Sequence, residues 1–419
     1  MADGPRILLL HRNQPAQFEF FGRWLARRGW QVTYIHAGAA SDSTDALGIR
    51  TLRFPVAAME RPETDFRYAL DYAAATAMGA AVLFEHLRNH EGYRPDVVMA
   101  HAGWGIGLGV RQIWPQTRYI AYHEWYYTDL DWTTGRIERP STPPVAMTNR
   151  MRNLPISAEF DSADANWCPT QFQANRFPPP LRQQISVLAD GVDCRFHHPD
   201  PTAKMDFDWL SLPDRPKLLT YATRGLEPLR GFPQFMMALA RLQKQRQDFH
   251  TVVLAQDSVS YGPRLPEGES WGKRALAALD LDRSRLHLES MKPRSDYLRT
   301  LQASSAHIYF TEPFVTSWSL SEALASGCLV IGSRTGPVME LVEDMQTGIL
   351  VDMDDPEEVS DMIGWVFDHP EEAQAIRRRA RQQMLDLYDS EAVFRRKEAL
   401  LRQMISRVAD TTGPYQPVL

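Results

Sequence analysis

The chain has 419 residues, a formal net charge of −6, and 44% hydrophobic and 23% charged residues. This length favours two domains over a single core, and the composition is that of a globular protein rather than a disordered one. The negative charge argues against a nucleic-acid-binding protein. Three widely separated cysteines without a CxxC pair indicate reduced thiols rather than disulfides or a zinc site.

The opening segment, MADGPRILLLHRNQ, has an apolar run too short for a signal peptide and no basic region before it. No apolar run reaches the length of about 18 residues that a membrane-spanning helix needs. We therefore expect a cytoplasmic protein. The basic runs RRRARQQ and RRKEALLRQ are interpreted as solvated helix faces, with peripheral contact at the inner face of the membrane as the alternative.

Short apolar runs alternate with longer amphipathic runs in the first half. This alternation predicts βαβ units and a parallel sheet that is covered on both faces. The predicted elements are, in chain order, strand 6–11 (RILLLH), helix 18–29 (FEFFGRWLARRG), strand 30–38 (WQVTYIHAG), helix 65–90, strand 96–101 (DVVMAH) and strand 118–123 (RYIAYH).

Residues 196–216, FHHPDPTAKMDFDWLSLPDRP, are rich in Pro and Asp and lack periodicity, which is typical of a linker. The alternation then resumes, with apolar residues at helical spacing over 232–245. We predict an α/β protein with two doubly wound, Rossmann-like parallel-sheet domains facing across a cleft, and C-terminal helices. The predicted bounds are 1–195 for the first domain, 196–216 for the linker, 217–390 for the second domain, and 391–419 for a helix that crosses back to the first domain and a tail.

The stretch YATRGLEPLRGFPQF (221–235) predicts a strand, a loop and the start of a helix. Arg224 and Arg230 lie in the loop, and Gly231 directly precedes the helix. A helix N-terminus favours anions, and two guanidinium groups can clamp a diphosphate through their planar donors. The alternative is a pair of solvated surface arginines.

The stretch FTEPFVTSWSLSEALASGCLVIGSRTGP (310–337) places Glu322 early in a predicted helix that starts near Ser319 and ends at Gly327. In one interpretation, Glu322 is the last residue of a capping box that begins at Ser319. In the other, its carboxylate accepts hydrogen bonds from a ribose diol, as acidic residues do in other nucleotide sites.

Two histidines fall at predicted strand ends. His123 ends the strand RYIAYH and Glu124 directly follows it, and His101 precedes a glycine-rich turn in which Gly103 and Gly105 would let the backbone approach a ligand. A structural hydrogen-bonding role is the alternative for each histidine. His197 and His198 lie in the predicted linker, with no cysteine or carboxylate at metal-ligand spacing.

The segment EPFVTSWSLSEALASGCLVIGSRTGPVMELV, followed by GILVD, resembles the C-terminal signature of the retaining GT-B glycosyltransferases of family 4, group 1 type. TRGLEPLRGFPQF resembles their phosphate clamp, and ISVLADGVDCRFHHPD is similar to the segment that ends their first domain. The resemblance extends over about residues 5–390. It implies a GT-B fold and transfer of a sugar from a nucleotide-diphosphate sugar to an acceptor hydroxyl, with retention at the anomeric carbon.

Carried over by position, the resemblance assigns Glu322 to the donor ribose and both Arg224 and Arg230 to the donor pyrophosphate. His123 matches a histidine that faces the donor sugar, so the catalytic candidates are His123, Arg224 and Arg230. The other donor-side candidates are Ser317, Trp318, Ser319, Gly336, Met291 and Lys292, and the acceptor-side or sugar-side candidates are His101, Gly103, Gly105, Glu124 and Glu312.

One position departs from the family pattern. The family has two glutamates separated by seven residues, which would place the first at Phe314. The nearest acid here is Glu312, two residues earlier. Either Glu312 reaches the sugar from a shifted loop, or the role of the first acid is absent.

The resemblance further implies a UDP- or GDP-linked donor, a saccharide or lipid-linked acceptor, surface polysaccharide or glycolipid assembly, and no metal or other cofactor. The acidic motif DLD (129–131) is interpreted as a solvated loop rather than a metal site. The alternatives are a non-catalytic nucleotide-sugar-binding or scaffold protein and a nucleotide-sugar epimerase on the same fold.

Overall fold

The computed structural model describes residues 4–13, 16–60, 65–128, 130–131, 139–212, 216–261 and 265–409. Within these ranges the chain forms two compact units. The first contains the described residues before Gly191 together with those from Ala392 onward, and the second runs from Gly191 to Glu391. Across the described residues, no helix combines the length and the apolar character that spanning a bilayer requires.

The first unit is built on a sheet that is parallel except at one edge. The strands of this unit are β1 (Arg6–His11), β2 (Gln31–His36), β3 (Ser43–Thr44), β4 (Arg50–Arg53), β5 (Val97–His101), β6 (Arg118–Tyr122), β7 (Leu130–Asp131), β8 (Arg139–Pro140), β9 (Ala165–Cys168) and β10 (Ile185–Val187). Of these, β7 and β8 form a separate antiparallel pair. The helices of this unit are α1 (Glu19–Arg27), α2 (Tyr68–His90), α3 (Val110–Ile113), α4 (Pro143–Ser162), α5 (Gln171–Ala174) and α6 (Pro179–Arg182).

The main sheet of this unit has the order β10-β9-β6-β5-β1-β2-β4-β3, and only β3 pairs antiparallel to its neighbour. Alternate residues of β1 enter two cores. Ile7 and Leu9 pack with α1, whereas Leu8 and Leu10 pack with α2. Both faces of the sheet are therefore buried, which explains why these strands are continuously apolar.

The second unit repeats this architecture with a parallel sheet in the order β15-β14-β13-β16-β17-β18. Its strands are β11 (Asp206–Phe207), β12 (Leu210–Ser211), β13 (Lys217–Gly225), β14 (Phe249–Gln256), β15 (Leu286–Glu289), β16 (Ala306–Tyr309), β17 (Val330–Ser333) and β18 (Ile349–Val351). Its helices are α7 (Phe232–Gln245), α8 (Trp271–Ala278), α9 (Arg294–Ala303), α10 (Trp318–Ala325), α11 (Gly336–Met339), α12 (Pro356–Asp368) and α13 (Pro370–Gln383), and α14 (Ser390–Ala409) follows.

The described part of the predicted linker 196–216, residues 196–212 and 216, lies within the second unit. It contains the antiparallel pair β11–β12, and the rings of Phe207 and Trp209 stack with their centroids 4.6 Å apart. The Trp209 indole donates a hydrogen bond to Asp296 on α9 at 3.0 Å. Aromatic and aliphatic side chains of this segment pack against the unit without a periodic pattern: Met205, Phe207, Trp209, Leu210 and Leu212.

The expectation that the basic C-terminal runs are solvated is wrong at three positions. On α14, Lys397 and Glu398 are buried, and Glu398 accepts a hydrogen bond from the Trp30 indole at 3.0 Å. On α13, Arg381 donates to three backbone carbonyl groups. Arg381 is half-buried. Lys397, which lies 3.8 Å from Asp190, and Glu398 each have a partner on another segment of the chain, which offsets the cost of removing the charge from water.

Candidate active site

Three loops of the second unit meet at the carboxyl edge of its sheet, because β13, β16 and β17 are parallel neighbours. The loop after β13 carries Arg230, the loop after β16 leads into α10, and the loop after β17 leads into α11 at Gly336. This edge is where doubly wound sheets bind ligands. The predicted donor-side residues on these three loops are therefore brought together.

Arg230 is only 6% exposed and is fixed by hydrogen bonds to neighbouring loops. Its Nη1 donates to Thr311 Oγ1 at 2.9 Å and to the Val315 carbonyl at 3.1 Å. The Arg230 carbonyl accepts a bond of 2.7 Å from the Tyr221 hydroxyl. A guanidinium has five N–H donors, and the bonds to Thr311 and Val315 both start from Nη1. The Arg230 side chain also lies within hydrogen-bond reach of the Tyr309 hydroxyl.

Gly231 permits this placement of Arg230. Its φ is +66°, and a Cβ at this position would lie 2.5 Å from the Cβ of Phe310. A side chain would therefore face both left-handed backbone strain and a clash. The glycine allows the chain to pass from Arg230 directly into α7, beside the end of β16.

Arg224 lies at the end of β13 and is exposed, so the alternative of a solvated surface arginine describes it better than it describes Arg230. Both arginines act electrostatically on Glu227, a fully buried carboxylate between them in the loop. Burial raises the pKa of Glu227, and two backbone amides and the two guanidinium charges partly oppose that rise.

Glu227 is a residue of the site that the sequence analysis missed. Its Oε2 accepts hydrogen bonds from the backbone amides of Ser260 and Tyr261, at 2.9 and 2.7 Å. The Tyr261 ring in turn lies 5.5 Å from the Arg230 guanidinium carbon. The available signal was an acid between two arginines in one short loop.

The structure contradicts the capping-box interpretation of Glu322. Helix α10 begins at Trp318, and its cap is Ser317, whose Oγ accepts a hydrogen bond from the Ser319 amide at 3.3 Å. Glu322 therefore lies in the second turn, beyond the reach of a capping box, which pairs the cap with the third helical residue. The carboxylate has another role.

Glu322 lies against a buried histidine. Its Oε1 is 3.5 Å from His197 Nε2, and its side chain is 19% exposed. Burial raises the pKa of Glu322, but His197, followed by Tyr297 and Arg294, outweighs that effect and leaves the pKa below its ordinary value. Glu322 is therefore ionised at neutral pH, and its carboxylate can accept hydrogen bonds from hydroxyl groups.

His197 was set aside in the sequence analysis because it has no ligand-type neighbour nearby in the chain. The structure shows that its partner, Glu322, is distant in sequence and close in space, and that the imidazole is 1% exposed. His198, the adjacent histidine, is exposed. No local spacing distinguishes the two histidines, and only their place in the fold does.

The α10 amides that were predicted to approach the donor have partners within the chain. The Ser317 amide donates to the Tyr309 hydroxyl at 2.7 Å, and the Ser319 amide donates to the cap. Trp318 is 36% exposed, and Gly336 is exposed as the first residue of α11. At the N-terminus of α10, Trp318 therefore presents more surface than the capped serines.

The two nucleobase candidates differ in environment. Met291 is 55% exposed in the loop after β15. Lys292 forms an ion pair of 2.7 Å with Glu289, and its Nζ lies 4.4 Å from the centroid of the Trp209 ring. Lys292 is thus engaged with its own unit, whereas Met291 presents open apolar surface.

Glu312 and Phe314 lie in the loop between β16 and α10. The Glu312 amide donates to the Leu229 carbonyl at 2.9 Å, which ties this loop to the loop that carries Arg230. The Phe314 ring packs 5.3 Å from the Tyr261 ring. The position where the family pattern would place its first glutamate is therefore an aromatic contact in this chain.

The sequence predicts that Gly103 and Gly105 let the backbone approach a ligand. In the first unit, the amides of this glycine-rich turn instead bind a side chain of the protein. The Gly103 and Gly107 amides donate to the carboxylate of Glu159, which is fully buried. A Cβ on Gly105 would lie 2.2 Å from the Ala73 carbonyl oxygen, so this glycine serves close packing on α2. Burial raises the pKa of Glu159 to about 7 despite these amide contacts.

His101 and Glu124 form a pair at the carboxyl edge of the first sheet. His101 Nε2 lies 3.2 Å from Glu124 Oε2, and Gln17 donates to the other carboxylate oxygen at 3.0 Å. The His11 ring stacks edge-on 4.7 Å from His101, and burial, followed by the charge of His101, lowers the pKa of His11 to about 3. Glu124, whose side chain is 34% exposed, is the member of the pair that reaches this edge.

His123 does not fit the prediction that it faces a donor sugar. It is 1% exposed, its Nε2 hydrogen bonds with Asn166 Oδ1 at 2.8 Å, and its ring packs between Phe160 and Phe177. Burial lowers its pKa to about 4. The geometry supports the alternative, a structural histidine, because the side chain after β6 that reaches the edge is Glu124.

Among the described residues, no group of three or more His, Cys, Asp or Glu side chains is arranged to hold a metal ion. Asp129, the first residue of the DLD motif, lies outside the described residues.

Comparison with solved structures identifies the fold. The sucrose-phosphate synthase of Thermosynechococcus elongatus matches with a TM-score of 0.71 at 16% identity, over 96% of this chain and 100% of that one. Anabaena HepE in complex with UDP-glucose matches with a TM-score of 0.63 at 13% identity, over 95% and 99%. The fold is therefore GT-B, with two Rossmann-like units, as predicted from the sequence.

Two family models match the chain. A model described as "Glycosyl transferase family 4 group" matches residues 28–196, and one described as "Glycosyl transferases group 1" matches residues 205–383. Each matched region covers most of one predicted domain. The chain belongs to family 4 of the glycosyltransferases, group 1 type.

Two curated relatives are also glycosyltransferases. The D-inositol 3-phosphate glycosyltransferase of Corynebacterium glutamicum is 27% identical over 192 residues, which is 45% of this chain and 44% of the relative. The MMP alpha-(1->4)-mannosyltransferase of Mycolicibacterium hassiacum is 24% identical over 269 residues, which is 63% of this chain and 58% of the relative. The chain spans about half the length of the curated relatives it matches.

Proposed function

We propose that this chain transfers a sugar from a nucleotide-diphosphate sugar to an acceptor hydroxyl, with retention of configuration at the anomeric carbon. The observation that supports this most directly is the convergence of Arg230 and the Glu322-bearing helix at one edge of the second sheet. A buried cation and an ionised carboxylate suit the two ends of a nucleoside diphosphate. The family supports the reaction type.

In the proposed reaction, the bond between the anomeric carbon and the diphosphate oxygen breaks, and the acceptor oxygen bonds to the same carbon. Negative charge develops on the leaving diphosphate. Arg230, the exposed Arg224 and the positive end of α7 provide charge to stabilise it without requiring a metal ion. The departing phosphate oxygen takes the acceptor proton, so no protein nucleophile is needed.

Glu322 has a separate role in this proposal. Its carboxylate accepts hydrogen bonds from the ribose hydroxyls, which fixes the nucleoside end of the donor while the diphosphate reaches Arg230. The exposed Met291, after β15, offers apolar surface to the base. Because His123 is buried, we assign it to the support of the first unit rather than to contact with the sugar.

UDP-linked sugars are the first donors to test, because HepE is similar in fold and is known in complex with UDP-glucose. GDP-linked sugars are the second. A saccharide or lipid-linked acceptor in surface polysaccharide or glycolipid assembly, at the inner face of the membrane, is the setting that we propose. The names of the relatives add inositol 3-phosphate to the acceptors to test and mannose to the sugars to test.

The first experiment is calorimetric titration of the full chain with UDP, GDP, ADP and dTDP. We expect one diphosphate to bind tighter than the others. If none binds, the donor site and the proposed function both fail. The matching nucleotide sugars are then incubated with the acceptors, and the anomeric configuration of the product is determined by proton NMR.

The turnover result separates the candidate functions. A glycoside with the donor's anomeric configuration supports the proposal, and the opposite configuration overturns retention alone. Diphosphate binding with neither transfer nor slow donor hydrolysis indicates a non-catalytic binding protein. Conversion of the donor to its epimer without transfer indicates an epimerase.

A further inference from the structure

We infer that His197 is a positioning residue for Glu322: its imidazole holds the carboxylate in the orientation that receives the ribose hydroxyls. This inference rests on the proposed function, because it gives His197 its role through the donor contact of Glu322. It adds a residue from the predicted linker, which the sequence analysis had set aside, to the donor site.

The imidazole of His197 lies between two polar partners. Its Nε2 is 3.5 Å from Glu322 Oε1, and its Nδ1 is 3.4 Å from the Ser326 hydroxyl, one helical turn further along α10. The ring is buried and packs edge-on against Phe196 and Tyr297. His197 thus contacts two successive turns of the helix that carries Glu322.

The backbone around His197 is fixed to the same helix. Arg381 on α13 donates to the His197 carbonyl at 2.6 Å, to the Ala325 carbonyl at 2.7 Å and to the Cys194 carbonyl at 2.8 Å. The His197 amide also donates to the Asp193 carbonyl at 2.8 Å. One guanidinium therefore joins the end of α10 to residues 194–197 and fixes the backbone from which the imidazole extends toward Glu322.

The tautomer of His197 determines which partner it supports. A neutral imidazole with hydrogen on Nε2 donates to Glu322 and accepts from Ser326 through Nδ1. The other tautomer turns Nε2 into an acceptor for Arg294, whose Nη2 is 3.5 Å away, and leaves Glu322 without a donor from this ring. A charged acceptor makes the stronger hydrogen bond, which favours hydrogen on Nε2.

The carboxylate keeps acceptor capacity for a ligand. An ionised carboxylate has about four acceptor positions on its two oxygens. His197 occupies one of them on Oε1, and the Tyr297 hydroxyl, within hydrogen-bond reach of Glu322, takes another. The Tyr297 hydroxyl is close enough for the charge of Glu322 to help burial raise the Tyr297 pKa. A ribose diol would use the remaining positions, so rotation of the carboxylate away from His197 would misalign both ligand bonds.

Two substitutions distinguish positioning from packing. His197→Gln places an amide nitrogen near the position of Nε2, and His197→Asn places one near Nδ1. Each variant, the wild type and Glu322→Gln are titrated with UDP and with 2′-deoxyUDP. If GDP or ADP is the diphosphate that binds the wild type, that nucleotide and its 2′-deoxy form replace them.

We expect His197→Asn to weaken UDP binding roughly tenfold, the loss of one charge-assisted hydrogen bond. His197→Gln should restore most of that loss. The difference in affinity between His197→Asn and His197→Gln should be smaller for 2′-deoxyUDP than for UDP, because the missing hydroxyl removes one hydrogen bond that Glu322 accepts from the ligand. In a Glu322→Gln background, His197→Asn should have little further effect.

Equal behaviour of the Gln and Asn variants, or an equal loss for UDP and 2′-deoxyUDP, would show that His197 only supports packing and would overturn the inference. Affinity for 2′-deoxyUDP reports in each variant whether the site is intact, and thermal unfolding reports whether the chain is folded. Binding that depends on Glu322 but not on His197 refutes this inference alone. Failure of the wild type to bind any diphosphate refutes the proposed function with it.

Discussion

The carboxyl edges of the two sheets solve the same physical problem in different ways. In the first unit, the glycine-rich turn after β5 directs its amides at Glu159, a carboxylate of the same chain. In the second unit, the loops after β13 and β16 bring a guanidinium and a partly exposed carboxylate to the edge. The turn of the first edge binds a carboxylate of its own chain, and the second edge carries the charged groups that we propose contact a ligand.

The difference shows that a motif at a strand end does not by itself define a ligand site. Backbone amides in a tight glycine turn attract anions, whether the anion belongs to a ligand or to the protein. The buried Glu159 occupies that role in the first unit. Its edge retains the Glu124 carboxylate, paired with His101, which suits hydroxyl donors rather than phosphate.

The largest expected effect tests the internal carboxylate. The folded pKa of Glu159 is about 7, raised by burial from an ordinary 4.5. Between these two pH values the folded chain keeps a proton that the unfolded chain releases. The free energy of unfolding should therefore fall as pH rises through this window, by about 1.4 kcal/mol per pH unit and roughly 3 kcal/mol in total, and become level above it.

Glu159→Gln should remove this slope. Its amide nitrogen cannot accept a hydrogen bond, so one glycine amide of the turn loses its partner at a cost of about 1–3 kcal/mol. The free energy of unfolding of Glu159→Gln should fall furthest below that of the wild type near pH 5, and less far below it at pH 8. Urea unfolding of both chains at these pH values measures it, with the exposed Glu85→Gln on α2 as the control. Parallel pH profiles for wild type and Glu159→Gln would contradict the assignment.

The next effect tests the guanidinium of the second edge. Arg230→Ala should weaken binding of UDP, or of whichever diphosphate binds the wild type, by roughly 10- to 100-fold, because a hydrogen bond to a charged group is worth about 1.5–3 kcal/mol. Calorimetric titration measures this loss. The matched control is Arg241→Ala. Arg241 lies on α7, away from the strand ends, and forms an ion pair of 2.9 Å with Glu357.

Circular dichroism and thermal unfolding check that Arg230→Ala is folded, since its bonds to Thr311 and Val315 are also lost. Arg230→Lys keeps the charge but lacks the planar guanidinium, so its affinity for the diphosphate should fall between those of the wild type and Arg230→Ala. If the alanine variants at positions 230 and 241 bind the diphosphate equally well, the second edge is no more an anion site than the first.

The smallest effect separates the cap of α10 from its carboxylate. Ser317→Ala should lower the free energy of unfolding by about 1 kcal/mol, because the Ser319 amide loses its cap. Glu322→Gln should lower stability less, and it should weaken nucleotide binding by roughly tenfold. Urea unfolding and titration of both variants measure the two quantities. A larger stability loss for Glu322→Gln than for Ser317→Ala would indicate that Glu322 stabilises the fold rather than binding the nucleotide.

Much of the fold could be predicted because its signals are local. The run RILLLH coincides with β1, and the periodic apolar residues of 232–245 coincide with α7. Strands buried on both faces are continuously apolar, and helices repeat at their own period, so both can be recognised within a short window. Arg230 and Gly231 were also found locally, because a strand, a basic loop and a helix start follow one another.

The remaining features depend on contacts between distant parts of the chain. His197 and Glu322 meet across the fold, and no spacing in the sequence relates them. The sequence did not reveal that the glycine turn binds Glu159, because Glu159, on α4, is far from the turn in sequence. His123 and Glu124 are neighbours in the chain, yet one is buried with Asn166 and the other reaches the edge.

The sequence by itself determined the alternation of strands and helices, the two-domain architecture that the resemblance implied, and the basic loop before α7. The tertiary structure decided which polar groups are satisfied inside the protein and which reach a strand edge. The physical reason is that a buried polar group needs a partner at hydrogen-bond distance. The fold, rather than the spacing of residues along the chain, determines where that partner lies.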